Sequence, residues 1–463
     1  MKKKIIIVGA GIAGLMSAYI LSKSSKFDIT LIEQEVEVGG LLKKYDYGEF
    51  GIFDYGMHNV LETGINELDN LIYDLLPTDE WQILDGNKRD LVGLYVNKKI
   101  QKNSPYIDLR EFDNYDKYLL DFFNNSDCHI QDLANYSNAQ EFLHAKYGTK
   151  IVDEVLKNIV EKFYKEDISK LDPLATLVTP LGRVILLNES IMNEINTSEI
   201  LRSKLAYSEQ RNLDLSLSSG RKAYYPKNYG MHKIIDALIE KLNANGVRIL
   251  LNTELISIQA DLNNIKAIQL TNDEQINEID EFIWSGNLFV LSELLKIDHE
   301  PFVFDTPAKT TVTNIIVDKK LSLIDDVYYI YCYDSQMSTF RVTPYYNYCD
   351  GSKRAGGYPV SIEMLIYEND IDKDKITQQA LDEIKKMGLI DDTTNIIFQT
   401  SEILKNGFPR PTKNNIQITD TFRKNLEDKQ IKNLHKIGIL SEKNLFFQTD
   451  ILIDLYHKLG TLK

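Results

Sequence analysis

Cysteine, tryptophan and histidine are scarce in this 463-residue chain, with 3, 2 and 7 copies. Cys128, Cys332 and Cys349 form no CxxC pair and no Cys/His metal spacing, which excludes a disulfide scaffold and a structural zinc site. Each is expected to be a buried small hydrophobe. The histidines, at 58, 129, 144, 232, 299, 435 and 457, are scattered without an HExxH pair, so no metal centre is expected. No GxSxG elbow is present either, which argues against hydrolysis by a protein nucleophile. Basic residues are outnumbered, 53 Lys and Arg against 68 Asp and Glu, giving a net charge of −15 without a basic stripe. A nucleic-acid partner is therefore not expected. Beyond the N-terminus no apolar run approaches the roughly 18 residues that cross a bilayer, and no repeat or low-complexity segment occurs.

What is there is the composition of a globular protein, 43% hydrophobic and 26% charged. The length exceeds one ordinary core, so two domains, or one interrupted by another, are expected.

The opening MKKKIIIVGAGIAGLMSAYIL supports two readings. Lysines before an apolar run look like a secretory leader. The same residues hold Gly9-x-Gly11-x-x-Gly14 directly after KIIIV, a short β-branched strand candidate. Residues 12–33 favour the second reading. Ile12 to Ser22 carries a helical pattern, and Phe27 to Ile32 reads as another strand closing on Glu33. This is a β-α-β unit with an acidic residue about 20 positions beyond the glycines, the dinucleotide-binding fingerprint. Gly9 permits the turn, Gly11 lets a pyrophosphate approach, and Gly14 lets the helix pack close. Ile12 and Ala13 open the helix whose N-terminus faces the phosphates. Glu33 can accept hydrogen bonds from both ribose hydroxyls, and the acid disfavours a 2′-phosphate. A cytoplasmic location is expected.

Next come Gly39-Gly40-Leu41 and the loop Phe53-Asp54-Tyr55-Gly56-Met57-His58. With these the chain resembles the FAD-dependent amine oxidase, protoporphyrinogen oxidase and UDP-galactopyranose mutase superfamily. Further pieces are similar in order: the 225–231 segment YPKNYGM before a helix, the 246–255 strand GVRILLNTEL, DEFIWSGN at 280–287, and the 340–343 strand FRVT. FPRPT at 408–412 and the glycine turn at Ile437-Gly438 complete the set. Leu41 stands where many relatives carry an arginine, leaving Lys43, Lys44 or the helix dipole to neutralise phosphate. Met57 replaces the usual second glycine or proline of the loop, and the C-terminal stretch keeps only Gly438 and Leu440 of the family pattern.

The resemblance implies FAD as cofactor and an α/β fold: a Rossmann-like FAD-binding domain of glutathione-reductase type with an inserted α+β substrate domain. Residues 1–75, 220–290 and 405–463 would form the FAD domain; 76–219 and 291–404 would form the substrate domain. Within the latter, 110–165 reads as helices. The amphipathic run 144–175 is expected to continue to Asp172-Pro173, and 310–317, 327–333, 339–346 and 358–366 are expected to form an antiparallel sheet. Cofactor contacts are expected from Gly9, Gly11, Ile12, Ala13, Gly14, Glu33, Gln34, Gly39, Gly40, Leu41, Gly56, Met57, His58, Leu255 and Gly438.

Two side chains are candidates for the chemistry. His58 would stand near the flavin as a proton handler, or else only bond its own loop. Arg341 would clamp a phosphate or carboxylate, or else be an exposed edge-strand arginine. Arg221 is a weaker candidate of the same kind, and Arg410, between two prolines, would contact the cofactor or else cap a loop. The tyrosines at 328, 329, 331, 333, 345, 346 and 348 must alternate between two faces, so only some can line a pocket.

The resemblance thus points to an FAD-dependent oxidoreductase that accepts a hydride at flavin N5 from a small organic substrate such as an amine. The first alternative is a non-redox nucleotide-sugar mutase in surface-polysaccharide biosynthesis. The second is a non-catalytic FAD-binding protein. A homo-oligomer is compatible with each.

Overall fold

The computed structural model describes residues 2–89, 91–127, 132–179, 181–212, 221–261, 263–404 and 407–462; Cys128 and His129 lie outside them. The β-branched opening forms β1 (Lys3–Val8), the helical pattern α1 (Ile12–Ser22), and FDITLI forms β2 (Phe27–Ile32). β1 and β2 pair in parallel from Lys3↔Phe27 to Val8↔Ile32, a pairing that requires a crossover such as α1. Ile5, Ile6 and Ile7 have no exposed surface, because layers cover both faces of the sheet.

The full order is Arg248–Leu250, β2, β1, Glu281–Trp284 and Leu434–Lys436, all parallel. Three stretches far apart in the chain therefore share one sheet. The apolar opening is its middle strand, and removing it would leave β2 and Glu281–Trp284 without a common neighbour. On one face α1 packs against the helices His232–Ala244 and Gln448–Gly460. On the other, Ile6 and Ile32 join a core with Ile258, Ile268 and Phe422.

The second sheet runs Ile396–Ile403, Lys309–Val317, Tyr358–Ile366, Thr339–Pro344, Tyr329–Cys332, Val92–Val96, Lys99–Gln101. The four segments expected to pair antiparallel do so, Lys309–Val317 with Tyr358–Ile366, Tyr358–Ile366 with Thr339–Pro344, and Thr339–Pro344 with Tyr329–Cys332. Tyr329–Cys332 pairs in parallel with Val92–Val96, which the long intervening chain permits. A helical layer, including Tyr115–Asn125, Ala139–Tyr147 and Lys157–Tyr164, packs on one face through Leu94, Phe163 and Phe340. The expected unbroken run over 144–175 is corrected. It breaks at Gly148 (φ +86°), where a Cβ would lie 2.4 Å from the Asp121 carboxylate. It ends at Lys165, which takes the left-handed conformation. The opposite face carries the helix Lys373–Lys386. Among the described residues no helix is long and apolar enough to cross a membrane.

A glycine cradle and the loop that faces it

Two glycines of the first turn do different work. A Cβ on Gly14 would lie 1.9 Å from the Gly9 carbonyl oxygen, so only glycine lets α1 approach β1 this closely. A Cβ on Gly11 would meet nothing within 4 Å, so this position faces open space. The first bond of α1 runs from the Leu15 N–H to the Gly11 oxygen at 3.0 Å. The amides of Ile12, Ala13 and Gly14 thus have no acceptor within the helix, and the positive end of its dipole lies there.

The second glycine pair packs directly on the first. The Gly39 amide donates to Ala10 O at 2.8 Å, and a Cβ on Gly40 would stand 3.2 Å from Gly11 Cα. Leu41 projects into solvent and Gln34 is exposed, whereas Leu42 is buried. Glu33 Oε2 accepts from the Ala10 amide at 2.7 Å and Oε1 from the Glu35 amide at 2.9 Å. A carboxylate has about four acceptor positions, so this bracing leaves capacity for hydroxyl donors. Ser285, which sequence reasoning passed over, braces the turn from below: its Oγ donates to Val8 O at 2.8 Å. Gly438 leans on the same residue, a Cβ there lying 3.2 Å from Ser285 O. Leu255 opens a strand of a separate three-stranded sheet, paired with Leu270. Two residues earlier, the Thr253 amide donates to Glu33 O at 2.9 Å.

The FDYGMH loop is held at both ends. Asp54 is buried and accepts from the Tyr225 hydroxyl at 2.7 Å and the Met231 amide at 3.0 Å. Burial pushes its carboxyl up to about 6 against the pull of those donors. At the other end Arg341 Nη2 donates to Met57 O at 3.1 Å, while the Met57 amide donates to Glu363 Oε1 at 3.1 Å. Arg341 and Glu363 are themselves paired through two bonds of 2.9 and 2.7 Å. Gly56 adopts φ +126°, and a Cβ there would sit 3.4 Å from the Glu363 carboxyl carbon. His58 comes next, half-buried. Burial first, then the Arg341 charge, lowers its imidazole to about 4, so the ring is neutral at pH 7.

Arg341 is not an exposed edge-strand arginine. It sits on an interior strand, and most of its donors already serve Glu363 and Met57. Glu363 was missed, although an acid inside the apolar run VSIEMLI was the available signal. Arg410 bonds the carbonyls of Tyr164, Lys165 and Thr306, a loop staple away from the glycine cradle. Arg221 is exposed. Cys332 and Cys349 are buried free thiols.

Residues 7–74 match the model of the NAD(P)-binding Rossmann-like domain. The chain is 22% identical over 447 residues to the 4,4'-diaponeurosporene oxygenase of Staphylococcus haemolyticus, covering 86% of this chain and 83% of that protein. Reduced UDP-galactopyranose mutase superposes with a TM-score of 0.75 at 15% identity, covering 100% of this chain and 96% of the other. A protein from Exiguobacterium assigned to protoporphyrinogen oxidase gives 0.69 at 15% identity, covering 100% and 99%. All three are named as enzymes, and this chain shares the fold of the two solved structures. The open face of Gly11, the three uncommitted amides and the braced Glu33 fit a dinucleotide.

Proposed function

We propose that this chain, with the fold of the FAD-dependent amine oxidase and protoporphyrinogen oxidase-like superfamily as premise, is an FAD-dependent oxidoreductase. It would take a hydride onto flavin N5 from a small organic substrate. The observation that carries the reading is the double glycine cradle, with Gly11 open beside uncommitted helix amides and Gly39-Gly40 packed against it. Bound FAD would supply a hydride-accepting ring, a chemistry no side chain has. The chain's own residues do the rest. The amides of Ile12 to Gly14 hold the pyrophosphate, and Glu33 accepts from the ribose. Arg341 and Glu363 fix the Met57 peptide. His58, neutral at pH 7, offers a hydrogen bond or takes a proton without carrying a resident charge. The helical layer excludes water from the face it covers. The curated relative, named as an oxygenase, is in keeping with oxidative chemistry.

A second reading, a flavin-dependent nucleotide-sugar mutase, is favoured by the similarity to reduced UDP-galactopyranose mutase. A cytoplasmic location belongs to both readings. The test is the absorption spectrum of the purified protein, then anaerobic mixing with amines, hydroaromatic compounds and UDP-sugars. Absence of flavin bands would overturn both. Bleaching by an organic reductant selects the oxidoreductase; turnover that needs reduced flavin yet oxidises nothing selects the mutase.

A further inference from the structure

Away from the cradle, three cations are gathered in the helical layer. Lys146 is 9% exposed, yet among the described residues its ammonium has no hydrogen-bond or ion-pair acceptor; it stands over the rings of Phe142 and Tyr147 at 5.5 and 5.6 Å. Tyr147 donates its hydroxyl to Leu181 O at 2.8 Å, which ties this helix to the segment bearing Arg183. Arg183 lies over the Tyr106 ring at 4.5 Å and donates to its hydroxyl at 2.8 Å, but pairs with no carboxylate among the described residues. The adjoining Val184 amide donates to Lys204 O at 3.0 Å, bringing in a third cation whose ammonium bonds Asp127 O. Burial, then the charges of Lys204 and Arg183, pulls the Lys146 ammonium down to about 8.

Packing of an aliphatic stem on aromatic rings accounts for the body of a lysine, not for a head held beside like charges without an acceptor. Such a cluster is stabilised by an anion. The place also has a direction. Gln101 donates to Tyr106 O at 2.6 Å and pairs across the sheet with Leu94, which pairs with Tyr331. Tyr329, Tyr331 and Tyr333 point to one face of their strand, with ring centroids 5.3 and 6.4 Å apart. Tyr331 stands directly opposite Arg341, which holds the Met57 loop. A row of aromatic rings thus leads from the loop towards Tyr106 and Arg183.

We propose that Lys146 and Arg183 form an anion subsite that takes the carboxylate or phosphate group of a substrate lying along this tyrosine row. The inference deepens the oxidoreductase reading by giving its substrate an acidic end remote from the reacting one.

The experiment uses the full chain as purified with its flavin. Acylation of Lys146 by an N-hydroxysuccinimide ester is followed by peptide mass spectrometry while hexanoate, hexyl phosphate, inorganic phosphate or hexanol is titrated in. Saturable protection by an anion is expected, weakened about tenfold in Arg183→Gln, the loss of one charge-assisted contact, and retained in Arg183→Lys. Preference between hexanoate and hexyl phosphate identifies the group. Protection by hexanol as strong as by the anions, or equal protection in Arg183→Gln of unchanged melting temperature, would overturn the subsite. The flavin spectrum is read separately. Protection without flavin refutes the oxidoreductase reading and leaves the subsite standing; flavin without protection does the reverse.

Discussion

Arg341 and Glu363 lie opposite each other on neighbouring strands and together bracket one peptide, that of Met57. The guanidinium takes its carbonyl and the carboxylate takes its amide. A loop that must change direction at Gly56 is thereby fixed from both sides by a buried ion pair.

Breaking that pair from one side leaves a buried charge without a partner. Glu363→Gln is expected to lose about 3–5 kcal/mol of stability and to loosen the Met57 loop. The double variant Arg341→Met/Glu363→Met should recover part of that loss, since neither charge then needs a partner. Urea unfolding of Arg341→Met, Glu363→Met and the double variant measures the coupling. Additive losses would show that the two residues act apart.

Gly11→Ala and Gly14→Ala should separate cofactor binding from folding. At Gly14 a methyl group collides with the Gly9 carbonyl, so the melting temperature falls. At Gly11 it meets no protein atom within 4 Å, so the fold keeps its stability while flavin content drops. Equal melting temperatures with equal flavin content in the two variants would contradict the assignment.

The neutral histidine sets an acid limit. His58 is lowered to about 4 from its ordinary 6.5, so between these values the unfolded chain binds a proton that the folded one refuses. Stability should therefore fall as pH drops from about 6.5 to about 4, then level off for this group. His232, also lowered to about 4 by burial and then by Lys44, adds a parallel slope. Denaturation of His58→Gln across pH 4–7 should show a shallower fall, and His58→Gln/His232→Gln shallower still.

Asp54 works in the opposite sense. Its folded carboxyl holds a proton up to about pH 6, whereas the unfolded one releases it near 4. It lowers stability as pH rises from about 4 to about 6 and adds nothing further above. Asp54→Asn should remove this component. Tyr225→Phe deletes a donor that favours the carboxylate, so it should raise the Asp54 pKa further and cost roughly 1.5–3 kcal/mol at pH 7. Carbon-13 NMR of labelled aspartate tracks the titration directly.

The sequence by itself determined the first β-α-β unit. Strand, glycine turn, helix and Glu33 are neighbours in the chain, so their spacing alone encodes a shape that local rules can read. It also foreshadowed the Rossmann-like fold, because resembling pieces recur in order. Only the tertiary structure decided the partners. Ser285 lies beneath Gly9, Glu363 beside Met57 and Tyr225 on Asp54, pairs separated by 276, 306 and 171 positions in the chain. Nothing in a local pattern says which strand will lie next to which. The parallel pairing of Tyr329–Cys332 with Val92–Val96 escaped the sequence for that reason, and so did the pairing of Arg341 with Glu363. An arginine seen alone reads as a free cation. Its function is set by which carboxylate the sheet register places opposite it, and register is a property of the assembled core.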